Sequence, residues 1–221
     1  TLRHTLFPYT TLFRSHTEEN VLAKFIEFFE LTPVKDFVMG NVELIEQLST
    51  KLNKPMQTVH IEGGDIRVDA DKYKEFFATL VHLFRNCMDH GIESPQIRKE
   101  RGKDEAGQIN IHFSLLNNNS EIEVKIVDDG GGIDPEKIRQ KLLSLPAYDQ
   151  EEVAKETDEE VVSHIFDYGF STSDSVSSIS GRGVGMSAIK EKCEELGGSL
   201  YVQSTLEKGS SFTFNLPYFG V

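Results

Sequence analysis

The chain has 221 residues, of which 38% are hydrophobic and 27% are charged, a composition typical of a soluble globular protein. A net charge of −13 argues against a nucleic-acid surface, and no apolar run is long enough for direct membrane insertion. Two cysteines, Cys87 and Cys193, exclude a disulfide scaffold and a cysteine-only zinc site, and they favour a reducing, cytoplasmic compartment.

Residues 1–15 are predicted to be an artefact rather than part of the fold. Residues 5–15 read TLFPYTTLFRS, which is the forward translation of a common sequencing adapter. The alternative is a natural tail rich in Phe and Thr, whereas Pro8 and Tyr9 interrupt the apolar stretch that a signal peptide would need. We therefore expect the native sequence to begin upstream of His16.

Two stretches near the N-terminus have apolar residues at helical spacing, residues 18–31 and residues 34–52. Both lie in a segment, residues 16–56, that has two interpretations. It is either the remnant of a dimerisation or linker region, or an ordinary amphipathic pair that packs on the main domain. We predict that this main domain covers residues 57–217 and that residues 218–221 form a tail.

Alternating apolar and polar residues predict two β-hairpins in the first half of the chain. The first would pair residues 59–61 with residues 66–68 across Gly63-Gly64, and the second would pair residues 109–115 with residues 122–126. Side chains of a strand alternate between its two faces, so this pattern indicates strands with one buried face.

An amphipathic helix is predicted between the hairpins, from about Asp69 to His90. Opposite its apolar face, His82, Asn86 and Asp89 form a polar stripe. Such a stripe is usually a solvated surface, but this one contains neither Lys nor Glu. An Asn side-chain oxygen also suits a hard cation such as Mg²⁺, so the stripe is a candidate site.

Two glycine-rich turns follow, at residues 128–132 (DDGGG) and 181–185 (GRGVG). A carboxylate at a strand end can accept a hydrogen bond from an exocyclic amino group, and glycines before a helix form a ready anion site. The dinucleotide fingerprint fails because Met186 occupies its third glycine position. The P-loop fails because Asp104 follows Lys103.

The second half of the chain continues to mix helices and strands. Short helices are predicted at residues 135–143 and 158–166, and the last two strands at residues 199–204 and 211–216. Because the order lacks a repeated strand–helix–strand rhythm, we expect a mixed sheet with helices on one face.

In their order along the chain, these elements resemble the GHKL ATPase superfamily, which includes histidine kinases, gyrase, MutL and the heat-shock chaperones. Residues 80–86 (LVHLFRN) and 88–93 (MDHGIE) resemble the N box of CheA-type chemotaxis histidine kinases. Residues 128–134, 165–172 and 180–186 resemble the remaining boxes. The resemblance implies an α+β fold, a two-layer α/β sandwich with a short N-terminal helical segment.

The resemblance also implies roles for individual residues. Asn86 would be the Mg²⁺ ligand, Asp128 would bind the adenine amino group, and His82 stands where ATP-hydrolysing relatives carry a glutamate base. Gly209, in the last hairpin, would support the pocket. The other residues assigned to ATP are Arg85, Asp89, His90, Gly130, Gly132, Lys137, Ser171, Thr172, Gly181, Arg182, Gly183, Gly185 and Met186.

By this resemblance the chain is expected to be the ATP-binding catalytic domain of a two-component sensor kinase, with ATP and Mg²⁺ as cofactors. It would transfer the γ-phosphoryl group to a histidine on a phosphotransfer domain, in trans or upstream, ahead of a response regulator. A homodimer would form through the missing region. The alternatives are a GHKL module that hydrolyses ATP and a module that senses nucleotide without catalysis. Ser187 and Ala188 depart from the usual Asp-Val, so a CheA-like hybrid kinase is an equal alternative to CheA itself.

Overall fold

The structure, a computed structural model, describes residues 24–25, 29–170 and 185–220. The adapter-like residues 1–15 lie outside this range, as do five of the predicted site residues: Ser171, Thr172, Gly181, Arg182 and Gly183. Within it, no helix is long and apolar enough to cross a membrane.

The described elements mix helices and strands along the chain. The strands are β1 (Thr32–Pro33), β2 (His60–Glu62), β3 (Arg67–Val68), β4 (Ile109–Leu116), β5 (Glu121–Asp128), β6 (Ser199–Thr205) and β7 (Gly209–Pro217). The helices are α1 (Met39–Leu52), α2 (Ala70–Asn86), α3 (Pro95–Glu100), α4 (Pro135–Ser144), α5 (Gln150–Val153), α6 (Asp158–Ser163) and α7 (Gly185–Glu195), with 3₁₀ turns at Val34–Phe37 and His164–Phe166 and a π-helical turn at Cys87–Gly91.

A five-stranded sheet in the order β2-β4-β5-β7-β6 forms one layer of the domain. Its β2–β4 pair is parallel and the other pairs are antiparallel, so the predicted mixed sheet is confirmed. Alternate residues of β4 and β5 are buried, as their apolar periodicity predicts. On β5 this alternation continues to its last residue, and the buried side chains are Ile122, Val124, Ile126 and Asp128.

The first predicted hairpin is wrong. β2 pairs with β4, placing His60 opposite Asn110, and β3 pairs with β1 in a separate two-stranded sheet, placing Val68 opposite Thr32. Gly63 gives the reason, because its φ of +69° turns the chain against β4, where a Cβ would overlap the carbonyl oxygen of Phe113. The turn therefore delivers the chain to a second sheet instead of folding it back on itself.

The predicted helix over residues 34–52 begins as a 3₁₀ turn and becomes α1 at Met39. Val34, Val38 and Ile45 are buried in the same core as the apolar face of α2. This contact is expected if residues 34–52 pack on the main domain as part of an amphipathic pair. The boundaries of the domains stay predictions.

Asp69 caps the N-terminus of α2, its side chain accepting a hydrogen bond from the backbone N–H of Asp71 at 2.9 Å. Six apolar side chains of this helix are buried: Tyr73, Phe76, Phe77, Leu80, Leu83 and Phe84. Because this face packs on the sheet, the positions of the opposite, polar face of α2 and of the turn that follows it are fixed.

Candidate nucleotide-binding site

A cavity of about 410 Å³ opens where the end of α2 meets the end of β5, the start of α4 and the start of α7. It has the size and mixed polarity of a small-molecule site. Six of the predicted site residues line it: Asn86, His90, Asp128, Gly132, Lys137 and Met186.

Asp128 is buried at the base of this cavity, with 4% of its surface exposed. The backbone N–H of Gly130 donates to its Oδ1 at 2.9 Å, and the Cys87 thiol donates to its Oδ2 at 3.8 Å. Burial raises the pKa of Asp128 to about 6, against the backbone N–H groups of Gly130 and Ser210, which act to lower it. At neutral pH the site therefore presents a carboxylate that can accept a hydrogen bond from a ligand.

Glycines let three backbone segments close around Asp128. A Cβ at Gly130 would overlap the carbonyl of Gly91, and one at Gly209 would overlap the carbonyl of Asp128 itself. Gly132 has a φ of +72° and lies against the Thr205 carbonyl. These contacts leave no room for a side chain, so glycine at these positions shapes the turn.

The predicted polar stripe does not continue past Asn86. The chain widens into the π turn, in which the backbone N–H of Ile92 donates to the carbonyl of Cys87 at 2.7 Å. A π turn takes more residues than an α turn, so His90 follows Asn86 onto the cavity while Asp89 lies outside its lining. The role of Asp89 in nucleotide binding therefore stays a prediction from helical spacing alone.

His82, Arg85 and Gly185 also lie outside the cavity lining, although His82 is close to it. A Cβ at Gly185, the first residue of α7, would be 3.8 Å from the His82 ring. Burial, followed by the charge of Arg85, lowers the pKa of His82, so its imidazole is neutral at pH 7. Arg85 itself is exposed.

Lys137 stands at the mouth of the cavity, with 80% of its side chain exposed and its Nζ 3.8 Å from Oδ2 of Asp134. Asp134 in turn caps α4 by accepting from the backbone N–H of Glu136 at 3.0 Å. This ammonium is placed to meet an anionic group that extends out of the cavity.

No cluster of three His, Cys, Asp or Glu side chains within metal-binding range occurs in the part of the chain that the structure describes. A divalent cation here would depend on the Asn86 oxygen together with ligand phosphates and water. That donor set fits Mg²⁺, which usually keeps several waters and takes few protein ligands.

Sequence reasoning did not assign the remaining residues of the cavity lining, most of which are apolar. They are Leu83, Cys87, Gly91, Ile133, Asp134, Ile138, Ile165, Phe170, Ser210 and Phe212. The available signal was the adjacency of Cys87 to Asn86 and of Ser210 to Gly209, because residues next to a site residue in a tight turn often face the same space.

The family model for histidine kinase-, DNA gyrase B- and HSP90-like ATPases matches residues 77–219, which include the C-terminal part of α2, the whole lining of the cavity and the last hairpin. The chain belongs to this family. The predicted superfamily and fold class are therefore confirmed.

Curated relatives of the chain include chemotaxis and motility proteins. The chain is 37% identical over 187 residues to the chemotaxis protein CheA of Halobacterium salinarum, covering 85% of the chain and 28% of that protein. It is 40% identical over 187 residues to the gliding motility regulatory protein of Myxococcus xanthus, covering 85% of the chain and 24% of that protein. The chain thus spans about a quarter of the length of these relatives.

Solved histidine kinases share the fold of this chain at low sequence identity. The catalytic domain of ThkA has a TM-score of 0.51 at 20% identity, covering 86% of the chain and 97% of that domain. Full-length ShkA in complex with AMPPNP has a TM-score of 0.52 at 16% identity, covering 86% of the chain and 32% of ShkA. At these identities the comparison shows the architecture alone.

Proposed function

We propose that the chain is the catalytic domain of a CheA-like two-component histidine kinase. It binds Mg-ATP and presents the γ-phosphoryl group to a histidine on a phosphotransfer domain, which then supplies a response regulator. The proposal includes a cytoplasmic location and a homodimer formed through sequence outside this chain. It is supported by the family match and by the chemotaxis relatives.

The observation that carries the proposal is the buried carboxylate of Asp128 at the base of the cavity. Its Oδ1 accepts a hydrogen bond from the backbone N–H of Gly130 at 2.9 Å, and its Oδ2 accepts one from the Cys87 thiol at 3.8 Å. A carboxylate has about four lone-pair sites, so capacity remains for the exocyclic amino group of adenine. A 6-oxo purine would present an acceptor to this acceptor, so the site should reject it.

The phosphates would extend from this base past Asn86 and His90 towards the cavity mouth. Asn86 would hold Mg²⁺, which neutralises phosphate charge when bound, and Lys137 would meet phosphate oxygens with its exposed ammonium. The start of α7 lies beside His82. As at other helix N-termini, the free backbone N–H groups at the start of α7 favour negative charge beside them.

Transfer requires an acceptor imidazole nitrogen to form a bond to the γ-phosphorus while the bond to the leaving oxygen breaks and ADP departs. Such a reaction depends on placement and charge neutralisation more than on covalent help from the enzyme. His82 is neutral and one helical turn before Asn86, so it can accept or donate a hydrogen bond near the γ-phosphoryl group. It lacks the carboxylate that would activate water efficiently.

Two assays test the proposal: titration with fluorescent ATP, and transfer of radiolabel from γ-labelled ATP to a panel of phosphotransfer domains. We expect slow hydrolysis by the chain alone and labelling only when a suitable domain is added. His82→Ala should keep ATP binding within a few-fold yet reduce transfer by roughly 10²-fold, the scale of a positioned acid–base group.

The matched control is His112→Ala, because His112 lies on β4 and its Nδ1 contacts Glu62, away from the cavity. It should leave binding and transfer unchanged. Rapid hydrolysis without an acceptor and insensitive to His82→Ala would favour the ATP-hydrolysing alternative. Tight ATP binding with neither hydrolysis nor transfer to any domain would favour the nucleotide-sensing alternative.

A further inference from the structure

Arg98 is a buried cation outside the cavity lining. It lies on the short helix α3 and has no exposed surface. Its guanidinium donates to both carboxylate oxygens of Asp129, at 3.2 and 2.7 Å, and to Glu93 Oε2 at 3.2 Å. Its remaining donors reach the carbonyl oxygens of Asp104 at 2.7 Å and Ala106 at 3.3 Å.

Lys103 reinforces this arrangement from the partly buried edge. Its Nζ donates to Glu93 Oε1 at 2.9 Å and to the carbonyl oxygens of Asp129 at 2.8 Å and Gly130 at 2.6 Å. We call Glu93, Arg98, Lys103 and Asp129 the Arg98 cluster. It joins the loop between the π turn and β4 to the glycine-rich turn after β5.

One member of the Arg98 cluster, Asp129, is the residue that follows Asp128 in the chain. The Arg98 cluster fixes the Asp129 side chain and the carbonyls of Asp129 and Gly130, and the N–H of Gly130 is the group that holds Asp128 Oδ1. The Asp129 side chain is held further by Gln108, whose backbone N–H donates at 2.8 Å to Oδ1, the oxygen that also accepts from Arg98. The peptide whose N–H orients the Asp128 carboxylate is held at its carbonyl oxygen by both Arg98 and Lys103.

Stability alone gives a weak reason for such a cluster. Removing charges from water costs several kcal/mol, and well-packed apolar residues often stabilise a core equally well. The planar fork of Arg, by contrast, fixes the position of a carboxylate in a way that a flexible ammonium does not. The distinctive product of this geometry is a defined position for the turn beside Asp128.

We propose that Arg98, assisted by Lys103, is a positioning residue for purine selectivity, acting through Asp129 and Gly130 on the Asp128 carboxylate. This inference rests on the proposed function, since it concerns the same nucleotide site. It assigns no contact between Arg98 and the nucleotide. The selectivity depends on where the carboxylate points, and the Arg98 cluster sets that direction.

The test compares affinity for ATP with affinity for inosine triphosphate, which lacks the amino group, in the parent chain and in Arg98→Lys. The parent should prefer ATP. In Arg98→Lys the ratio of the two affinities should fall by about 10-fold, the effect of a misplaced hydrogen bond of about 1.4 kcal/mol. A purely structural loss would weaken both nucleotides equally and leave the ratio unchanged.

Arg101→Lys is the matched control, because Arg101 donates to the same Glu93 at 3.0 Å from a partly exposed position and does not join Asp129. Its ratio should stay within about twofold of the parent, as for most surface substitutions. Lys103→Gln covers the case in which Arg98→Lys does not fold, and its ratio should fall several-fold. It removes the bonds to the carbonyls of Asp129 and Gly130 and leaves Arg98 in place.

The outcomes separate the two hypotheses. A parent chain that binds neither nucleotide, or both equally, overturns the proposed function. If the parent prefers ATP and folded Arg98→Lys keeps the same ratio, only the positioning role is overturned. Lys103→Gln takes the place of Arg98→Lys in this comparison if the latter does not fold. A reduced ratio in the variant with a parent-like ratio in Arg101→Lys supports it.

Discussion

The thiol of Cys87 lies 3.8 Å from Oδ2 of Asp128, deep in the cavity and in the first residue of the π turn. Burial raises the pKa of this thiol well above its ordinary value, with the Asp128 charge adding to the effect, so Cys87 stays protonated. The thiol therefore acts as a weak donor to a carboxylate that is almost fully buried.

Asp128→Asn should change how stability depends on pH. The pKa of Asp128 is about 6 in the folded chain against 3.8 ordinarily, so between these values the folded chain keeps a proton that the unfolded chain has lost. The contribution of Asp128 to the free energy of unfolding should fall by about 2–3 kcal/mol as pH rises from about 4 to about 6. Urea unfolding at several pH values should show the parent losing this much stability relative to Asp128→Asn over that range. Equal slopes would contradict it, and Asp158→Asn, an exposed site, serves as control.

Asn86→Ala should distinguish the contribution of Mg²⁺ to nucleotide affinity from that of the adenine base. If Asn86 serves the cation, the variant should lose about 10-fold or more in affinity for Mg-ATP, the effect of losing a ligand of this kind. Mg-free ADP should change by only a few-fold, because its adenine still reaches Asp128. Isothermal titration with and without Mg²⁺ measures both. Equal losses for the two nucleotides would show that Asn86 is structural.

Gly132→Ala and Gly102→Ala isolate the effect of crowding from that of backbone strain. The two glycines have φ values of +72° and +71°, but a Cβ at Gly132 would overlap the Thr205 carbonyl, whereas one at Gly102 would have no heavy atom within 4 Å. Gly102→Ala should cost about 1–2 kcal/mol in unfolding free energy. Gly132→Ala should cost at least about 1–3 kcal/mol more. Similar losses in the two variants would mean that the Thr205 contact relaxes freely.

His164→Gln should destabilise the chain more at pH 6 than at pH 8.5. Burial lowers the pKa of His164, but hydrogen bonds to Asp167 and Glu156 outweigh it, and the net pKa is raised above 6.5. The stabilisation by these partners is thus fully present below pH 6.5 and is lost as pH rises through the raised value. Thermal unfolding of both proteins across this range measures it. A difference that grows with pH would contradict the assignment.

The long, strongly periodic elements could be predicted from the sequence, whereas the choice of strand partners could not. β4 and β5 each alternate over eight residues and meet at an Asn-rich turn, so their pairing is specified locally. β2 and β3 have three and two residues, and alternation so short does not determine the sheet to which a strand belongs. Their partners are set by contacts with β4 and β1.

Sequence patterns single out residues whose type alone suggests a chemical role, and they miss residues whose environment is set by packing. Asp128 and Asn86 stand out by type and spacing. Arg98 in a polar loop resembles any solvated arginine, and only the surrounding fold makes it a buried cation. Ser94-Pro95 could have indicated the start of α3, because Pro favours the first turn of a helix. The π turn left no signal in the periodicity.

The small β1–β3 sheet has a mechanical consequence. It consists of two residue pairs, Thr32 with Val68 and Pro33 with Arg67, and Arg67 also donates from NH1 to the carbonyl of Leu31 at 2.8 Å. Tension applied to the chain ahead of Leu31 would act on these few bonds before it reached the five-stranded sheet. The pulled strand β1 leads into α1, whereas its partner β3 leads directly into α2, so a pull on β1 would reach the helix that bears Asn86 for as long as these pairs hold.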